Sequence, residues 1–516
     1  MNAQEPQVQV TSEQARVLQL VQDGRNVFLT GGGGVGKSFL IHTAVQQARA
    51  AGKRVAITAS TGAAADVIGG TTLHALLGLG LAKEPIEKLI VSALRSHKIN
   101  KKWQRLDLLI VDEVSMIDPD FFITVDRVAR AVRRQPEMPF GNLQLLLCGD
   151  FFQLPPVLPK TRNPAQLSFC FQTESWHSAA LHNVELTHIF RQISDPTFTH
   201  LLQRARTGDY TVEDVDTLMQ RLNVELVDFA NIEPTRLFAR RVNVDDLNES
   251  NLAKLDTDTE TYHAQVRWML DADVNAARRD DMTKVLKQAA ANVDTHAAVK
   301  SELTLKVGAQ VMLLCNLNVQ DGLVNGSRGV VTRFAQQLPV VQFARGQELT
   351  IDKYCWEIKV EDAGTIFYRQ VPLQLAWAVT IHKAQGLSLD CVELQLDRSV
   401  FEFGQAYVAL SRVRSLAGLR LTAFTPSTLM AHPLVKEFYA ALTSEPASSS
   451  AAAPALPSLA EVSKSAGGKA SSSASSVLAV PARSRIDWAG VAKSAAVSRD
   501  QAQEERCSKR PKVELF

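Results

Sequence analysis

Residues 28–40 read Phe-Leu-Thr-Gly-Gly-Gly-Gly-Val-Gly-Lys-Ser-Phe-Leu, with four consecutive glycines behind an apolar run. Few folds tolerate such a stretch in an ordered chain. Gly31, Gly36, Lys37 and Ser38 fit the spacing G-x-x-x-x-G-K-[ST]. Without Cβ atoms, Gly31, Gly32, Gly33, Gly34 and Gly36, with Val35 between them, can turn consecutive N–H groups toward an anion. The helix expected over Ser38–Ala51 adds its positive end. Lys37 is placed to reach the β/γ-phosphates and Ser38 to hold Mg²⁺. The chain therefore carries a nucleoside-triphosphate site.

A phosphate loop needs a parallel sheet behind it. Apolar runs at Val27–Thr30, Val55–Thr58, Leu108–Asp112 and Leu143–Gly149 alternate with helix-length segments. Asp118-Pro119 reads as an N-cap and first-turn proline opening a helix through Arg134. A second set of buried-strand runs follows at Arg236–Ala239, Ala376–Ile381, Val392–Leu396 and Leu419–Phe424, which predicts a second α/β half and a cleft. Between Val307 and Pro372 the pattern changes to short strands and turns, as in a small inserted β-barrel. Beyond Thr443 the chain is mostly Ser and Ala, a composition that cannot bury enough surface to fold alone.

Composition sets the outer limits. The 516 residues carry a net charge of +2, which neither announces nor excludes nucleic acid, because a groove needs only local positive charge. Six scattered cysteines without a C-x-x-C pair predict a reduced compartment and no structural zinc. No apolar run approaches the ~18 residues of a membrane span, so no membrane partner is expected. The opening residues carry acid and lack arginine, which makes them a poor leader.

Two further strand ends carry chemistry. The run Leu-Leu-Ile-Val-Asp-Glu-Val-Ser-Met ends in adjacent carboxylates, with Asp112 placed for Mg²⁺ and Glu113 for deprotonating water. The run Cys-Gly-Asp-Phe-Phe-Gln-Leu-Pro-Pro-Val places Gln153 where an amide could sense the γ-phosphate, although glutamines on loops are usually solvated.

The order GGGGVGKS, TASTGAAA, TTLHALLG, LLIVDEVSM, GDFFQLPPV, IFRQ, LVNGSRGVV, AWAVTIHKAQGLSLD and YVALSRVRS resembles the Pif-one family of DNA helicases, in the RecD-like branch of helicase superfamily one. The likeness covers about residues 10–440. It implies an α/β fold of two RecA-like P-loop NTPase domains, with a small SH3-like β-barrel in the second and a disordered tail. The expected bounds are 1–192 for the first domain, with a wedge-type insertion at 79–106. The second domain begins over 193–306, is interrupted by the barrel at 307–372, and resumes over 373–443. The tail is 444–516.

The resemblance also implies roles. Gln14 would read adenine, an edge that an amide can pair, and ATP with Mg²⁺ would be the cofactors. Arg191 and Arg412 would project from the second half onto the γ-phosphate, and Gln405 would line the cleft. Ser60, Thr61, Gly62 and His74 in the first half would hold single-stranded DNA, together with Thr380, His382, Lys383 and Gln385 in the second. Residues 95–105 hold five Lys/Arg and no acid, which suits a solvated helix face or contact with a DNA junction equally; Trp103 there reads as packing.

The implied activity is ATP-driven 5′-to-3′ translocation with unwinding, in DNA repair, recombination, replication or telomere maintenance. An ATPase that strips proteins or anneals strands is the alternative, and a binding scaffold with a degenerate motor is a third reading. A monomer is expected. The basic cluster Lys509-Arg510-Pro511-Lys512 suits a nuclear import receptor, with nucleus as the expected location and mitochondrion as the alternative.

Overall fold

The computed structural model describes residues 10–444, apart from 80–81, 83, 158–167, 227–231, 272–273, 275–278, 292–299, 319–320, 322, 345 and 361–362. The basic cluster at 509–512 and the tail beyond Ser444 lie outside the described residues.

The apolar runs of the first half become strands β1 (Val27–Gly31), β2 (Val55–Ala59), β3 (Thr71–Thr72), β4 (Leu108–Asp112), β5 (Gln144–Cys148) and β6 (His182–Leu186). They form one parallel sheet in the order β3-β2-β4-β5-β1-β6. Strands β1, β4 and β5 are buried at every residue, as sheets covered by helices on both faces require. All carboxyl ends share one edge, with Ala59 opposite Asp112 and Gly31 opposite Leu186. Ligands of open α/β sheets bind along that edge. The Asp118 side chain caps the helix Pro119–Val132 by accepting from Asp120 and Phe121 N–H groups, close to the expected bounds.

Strand β7 (Thr235–Phe238) opens the second half, and the chain then leaves its sheet. The excursion comprises β8 (Thr259–His263), β9 (Gln265–Leu270), β10 (Glu302–Lys306), β11 (Gln310–Leu313), β12 (Arg328–Ala335), β13 (Leu338–Phe343), β14 (Glu348–Thr350), β15 (Tyr354–Val360), β16 (Gly364–Gln370) and β17 (Leu373–Leu375). The chain returns through β18 (Ala378–Thr380), β19 (Val392–Leu396) and β20 (Leu419–Phe424). The second parallel sheet has the order β18-β7-β19-β20.

The excursion differs from one barrel over 307–372. Strands β14-β13-β12-β11-β17 make a five-stranded sheet, whereas β15 and β16 pair with β9 in a separate three-stranded one. Residues 265–270, for which the sequence offered no assignment, are recruited because β16 needs a partner on its second edge. The alternating exposure of β9 shows that only one of its faces is covered.

The last described helix, Pro433–Ser444, also departs from expectation. It packs on the first sheet rather than completing the second half: Val435 and Tyr439 are buried with Phe28, Phe151 and Trp176. Phe438 stacks on Phe171 with ring centroids 4.2 Å apart. Aromatic burial of this size outweighs chain order, and the helix ties the chain's end to the half where it began.

Candidate ATPase and strand-holding site

The loop that leaves β1 winds as the glycines permit. Gly34 and Gly36 hold φ of 83° and 87°, where a side chain is strained, and a β-carbon at Gly34 would stand 2.5 Å from Arg191 Cβ. Gly36 precedes the helix Lys37–Ala50 without a side-chain cap, so the first amides of that helix face the loop. Lys37 Nζ donates to the carbonyls of Gly31 at 2.7 Å and Gly32 at 3.0 Å. Its ammonium therefore lies against the loop.

Gln14 stands at the same place. Its Oε1 accepts from Thr11 N–H at 3.0 Å in a capping box, which directs Nε2 to Gly36, 3.2 Å from where a β-carbon would be. The partly exposed Phe190 ring lies beside Gly36 as well. Nothing in the local pattern selects Phe190 beyond its place next to Arg191.

Asp112 and Glu113 leave β4 together. Burial, and then the neighbouring Glu113, pushes the Asp112 carboxyl up to about 7, against the pull of Lys37. Its Oδ1 accepts the Glu113 N–H at 2.9 Å, and Glu113 adopts left-handed φ and ψ of 51° and 45°. A buried carboxylate with one backbone donor is a hard oxygen site short of positive charge. Its chemistry is that of a ligand for a hard divalent cation.

The second half packs directly on this loop. The Tyr407 hydroxyl accepts the Gly33 N–H at 2.9 Å. A β-carbon at Gly33 would stand 3.2 Å from Arg412 Nη2. Arg412 is 1% exposed; its Nε donates to Val408 O at 2.8 Å and its Nη2 to Ser411 Oγ at 2.6 Å. Arg191 donates from Nη1 to Ser411 O at 3.0 Å. Burial, and then the Arg412 charge, brings Arg191 down to about 9; burial lowers Arg412 as well. Neither has an ion-pair partner among the described carboxylates.

Arg191 corrects an expectation. It does not project from the second half; it follows β6, and its own N–H bonds to Gly34 O at 3.3 Å. Only Arg412 arrives across the cleft.

Gln153 and Gln405 lie deeper than the loop. Gln153 is buried and donates from Nε2 to Asp150 Oδ2 at 3.3 Å. Asp150 in turn holds Arg206, whose guanidinium lies over the Phe152 and Tyr439 rings. Gln405 is buried with Oε1 accepting from Phe401 N–H at 3.2 Å. The Gln153 amide is directed at Asp150, whereas Gln405 is held through its Oε1 and its buried Nε2 has no partner among the described residues. Asp150 had a signal in the sequence, as a strand-end acid; Arg206, Tyr407 and Tyr439 had none.

The strand-holding candidates sit on two carboxyl edges. After β2, Ser60 N–H donates to Asp112 O at 3.2 Å, Thr61 Oγ1 accepts from Ala64 N–H, and Gly62 opens on unobstructed space. His74 stacks flat on Phe121 with centroids 3.7 Å apart, and burial lowers its pKa. After β18, Thr380 Oγ1 caps the turn Ile381–Ala384 by accepting the Lys383 N–H, and burial lowers His382. Gln385 ends that turn and reaches across to Glu113, with 3.0 Å between Nε2 and Oε2. Trp103 is fully buried, with Nε1 donating to Leu76 O, on a helix whose Lys101, Lys102 and Arg105 face outward.

The comparisons with known proteins agree with this geometry. A family profile described as PIF1-like helicase matches residues 9–216, and one described as the 2B domain of DNA helicase Pif1 matches residues 290–334. The chain is 34% identical to the crystallised Pif1 helicase from Candida albicans, with a TM-score of 0.68, covering 84% of this chain and 99% of that one. The chain belongs to the Pif-one family. Another member, the ATP-dependent DNA helicase PIF1 of Xenopus laevis, is 43% identical over 84% of this chain. The chain spans 64% of that relative's length. A Pif1 helicase from Bacteroides in complex with ADP-AlF3 and ssDNA is 29% identical, with a TM-score of 0.59, over 84% of this chain and 97% of that one.

Proposed function

We propose that this chain is an ATP-driven DNA helicase that moves 5′ to 3′ along single-stranded DNA and unwinds the duplex ahead. One observation carries the reading. Two buried guanidiniums, Arg191 and Arg412, converge on a glycine loop that supplies amide N–H groups and Lys37, and neither makes a direct ion pair with a described carboxylate. Such an excess of buried positive charge suits a polyanion, and a nucleoside triphosphate spans the distance from Gln14 to Lys37 and the two arginines.

Each side chain then has a task. Gln14 and Phe190 would seat the base, and the loop amides and Lys37 would hold the phosphates. Ser38 and Asp112 would hold Mg²⁺, which when bound screens phosphate charge. Glu113 would take the proton of the attacking water, and Arg191 and Arg412 would stabilise charge as it develops on the γ-phosphoryl oxygens. The raised Asp112 carboxyl supports the cation, because a buried acid of this kind ionises fully only beside positive charge.

The strand would run over the edges after β2 and β18, with Ser60, Thr61, Gly62 and His74 on one side and Thr380, His382 and Lys383 on the other. The Bacteroides relative binds ADP-AlF3 and ssDNA in one crystal, which supports carrying both ligand classes to this chain. Because His74 and His382 are lowered by burial, they would contact the strand as neutral rings, leaving Lys383 the ionic contact. Nuclear import through Lys509–Lys512 belongs to the same proposal as its cellular part.

The test is ATPase rate with and without single-stranded DNA, followed by unwinding of a duplex with a 5′ tail. Stimulation without unwinding would instead indicate the protein-stripping or annealing ATPase.

A further inference from the structure

Among the hydrogen bonds between the two halves, one ends on the side chain assigned to the proton. Gln385 Nε2 donates to Glu113 Oε2 at 3.0 Å, joining residues from opposite sheets. Gln385 is not on a free loop. It closes the turn Ile381–Ala384, its N–H bonds to His382 O at 3.3 Å, and Thr380 Oγ1 caps the same turn. Thr380, His382 and Lys383 are three of the residues placed to hold the strand. One short capped turn thus joins the residues placed to hold the strand to an amide on Glu113.

Glu113 needs such a support. Its backbone is fixed by the left-handed conformation and by Asp112 Oδ1, so what remains free is the side chain. An amide donor on Oε2 sets that direction and leaves Oε1 to accept from water. Gln385 Oε1 is buried without a described protein partner, so the Nε2 bond to Glu113 is the polar tie that locates this amide. A donor of one hydrogen bond must be correctly placed to matter: a misplacement of about 1 Å at a reacting group can cost on the order of a hundredfold in rate.

We propose that Gln385 is a positioning residue that aims Glu113 and makes hydrolysis depend on the strand. A strand lying on His382 and Lys383 fixes the turn, the turn fixes the amide, and the amide fixes the carboxylate. Strand occupancy thereby changes the population of aimed Glu113 rather than its chemistry. This assigns Gln385 a different task from the direct DNA contact that its motif suggested, and it rests on the DNA-stimulated ATPase reading above.

The experiment measures ATP hydrolysis by the full chain without DNA and with saturating oligothymidylate, alongside oligonucleotide affinity and melting midpoint. Wild-type protein is measured first. A rate that DNA does not raise would remove the ATPase-coupling reading itself, before any variant is considered. Given stimulation in wild type, Gln385→Ala should lower the DNA-saturated kcat by roughly ten- to a hundredfold. Its DNA-free rate should fall less than that, because without a strand the turn holds Glu113 in aim in only part of the population. The KM for ATP, the DNA affinity and the melting midpoint should stay close to wild type, which a merely structural role would not allow. Gln385→Glu, which sets a second carboxylate against Glu113, should lose at least as much stimulation with the side-chain volume kept. Full stimulation in Gln385→Ala overturns the proposal. So does a loss of more than about tenfold in DNA affinity with the saturated rate intact, since Gln385 would then be a strand contact only.

Discussion

Arg206 places Nη2 2.9 Å from Oδ1 of Asp150, joining the helix Pro196–Thr207, whose core is that of the second half, to the loop after β5 in the first. Asp150 is fully buried, and the Arg206 side chain is 12% exposed. Burial opposes the Arg206 charge, but Asp150, Tyr439 and Glu185 hold it well above the ordinary arginine range. Removing one member of such a pair leaves the other charge without compensation. Arg206→Ala should therefore destabilise the fold by about 3–5 kcal/mol. Replacing both partners, as Arg206→Met with Asp150→Leu, should recover part of that loss, because Gln153 Nε2 and the Phe152 N–H lose their acceptor. Urea denaturation of the two variants checks both expectations, and equal losses for the single and the double variant would count against the ion pair.

The helix Pro433–Ser444 marks a boundary that composition alone placed nearby. Truncation after Ser444 should leave DNA unwinding and melting midpoint unchanged. Truncation before Pro433 uncovers the surface under Val435, Phe438 and Tyr439, and each such side chain contributes about 1.5–3 kcal/mol when buried. It also removes the Tyr439 hydroxyl, which pairs with Thr30 Oγ1 and accepts from Phe151 N–H. Thermal melts followed by circular dichroism should show the second truncation unfolded or strongly destabilised.

Lys37→Ala should abolish ATP hydrolysis while single-stranded DNA still binds, because the ammonium bonds to Gly31 and Gly32 of the phosphate loop, and the strand-holding candidates follow β2 and β18. Oligonucleotide anisotropy and phosphate release measured on one preparation separate the two properties. Wild-type hydrolysis by this variant would remove the phosphate-loop assignment.

Arg412→Ala should keep ATP binding within a few-fold, since Lys37 and the loop amides do the ground-state holding. Its DNA-stimulated hydrolysis should fall by about a hundredfold or more, the low side of what arginine fingers contribute. Arg414→Ala is the control, because Arg414 makes a half-exposed pair with Asp390 at 3.1 Å and should cost less than about 1 kcal/mol. Similar losses in both variants would indicate damaged folding rather than a missing finger.

Acid should weaken the second half through Asp214. The Arg204 side chain, and backbone and side-chain bonds from Thr211, hold this carboxyl below the usual range despite its burial. A depressed folded pKa contributes stability that is present above the unfolded value near 4 and lost as pH falls through the folded one. Asp214→Asn should flatten the stability-versus-pH curve below about pH 4 and should lose at neutral pH about what one partly exposed pair contributes. Chemical denaturation at pH 3 and pH 7 reads the difference.

The two parallel sheets, the glycine loop and the strand-end carboxylates were legible along the chain, because these depend on local pattern. Runs such as Leu108–Asp112 can only be buried strands, and Gly34 and Gly36 adopt backbone angles that exclude other residues. What the sequence could not contain was the partner of each cross-chain contact. That β16 recruits β9, that the helix Pro433–Ser444 returns to the first sheet, and that Arg191 sits beside Gly34 are outcomes of competition for buried area and free strand edges. The same holds for Gln385, whose motif suggested the DNA strand and whose amide meets Glu113. Local spacing fixes which chemistry a residue can do. Only the packing of distant segments decides which atom it touches, because that choice is set by the summed burial of the whole chain and not by its neighbours in sequence.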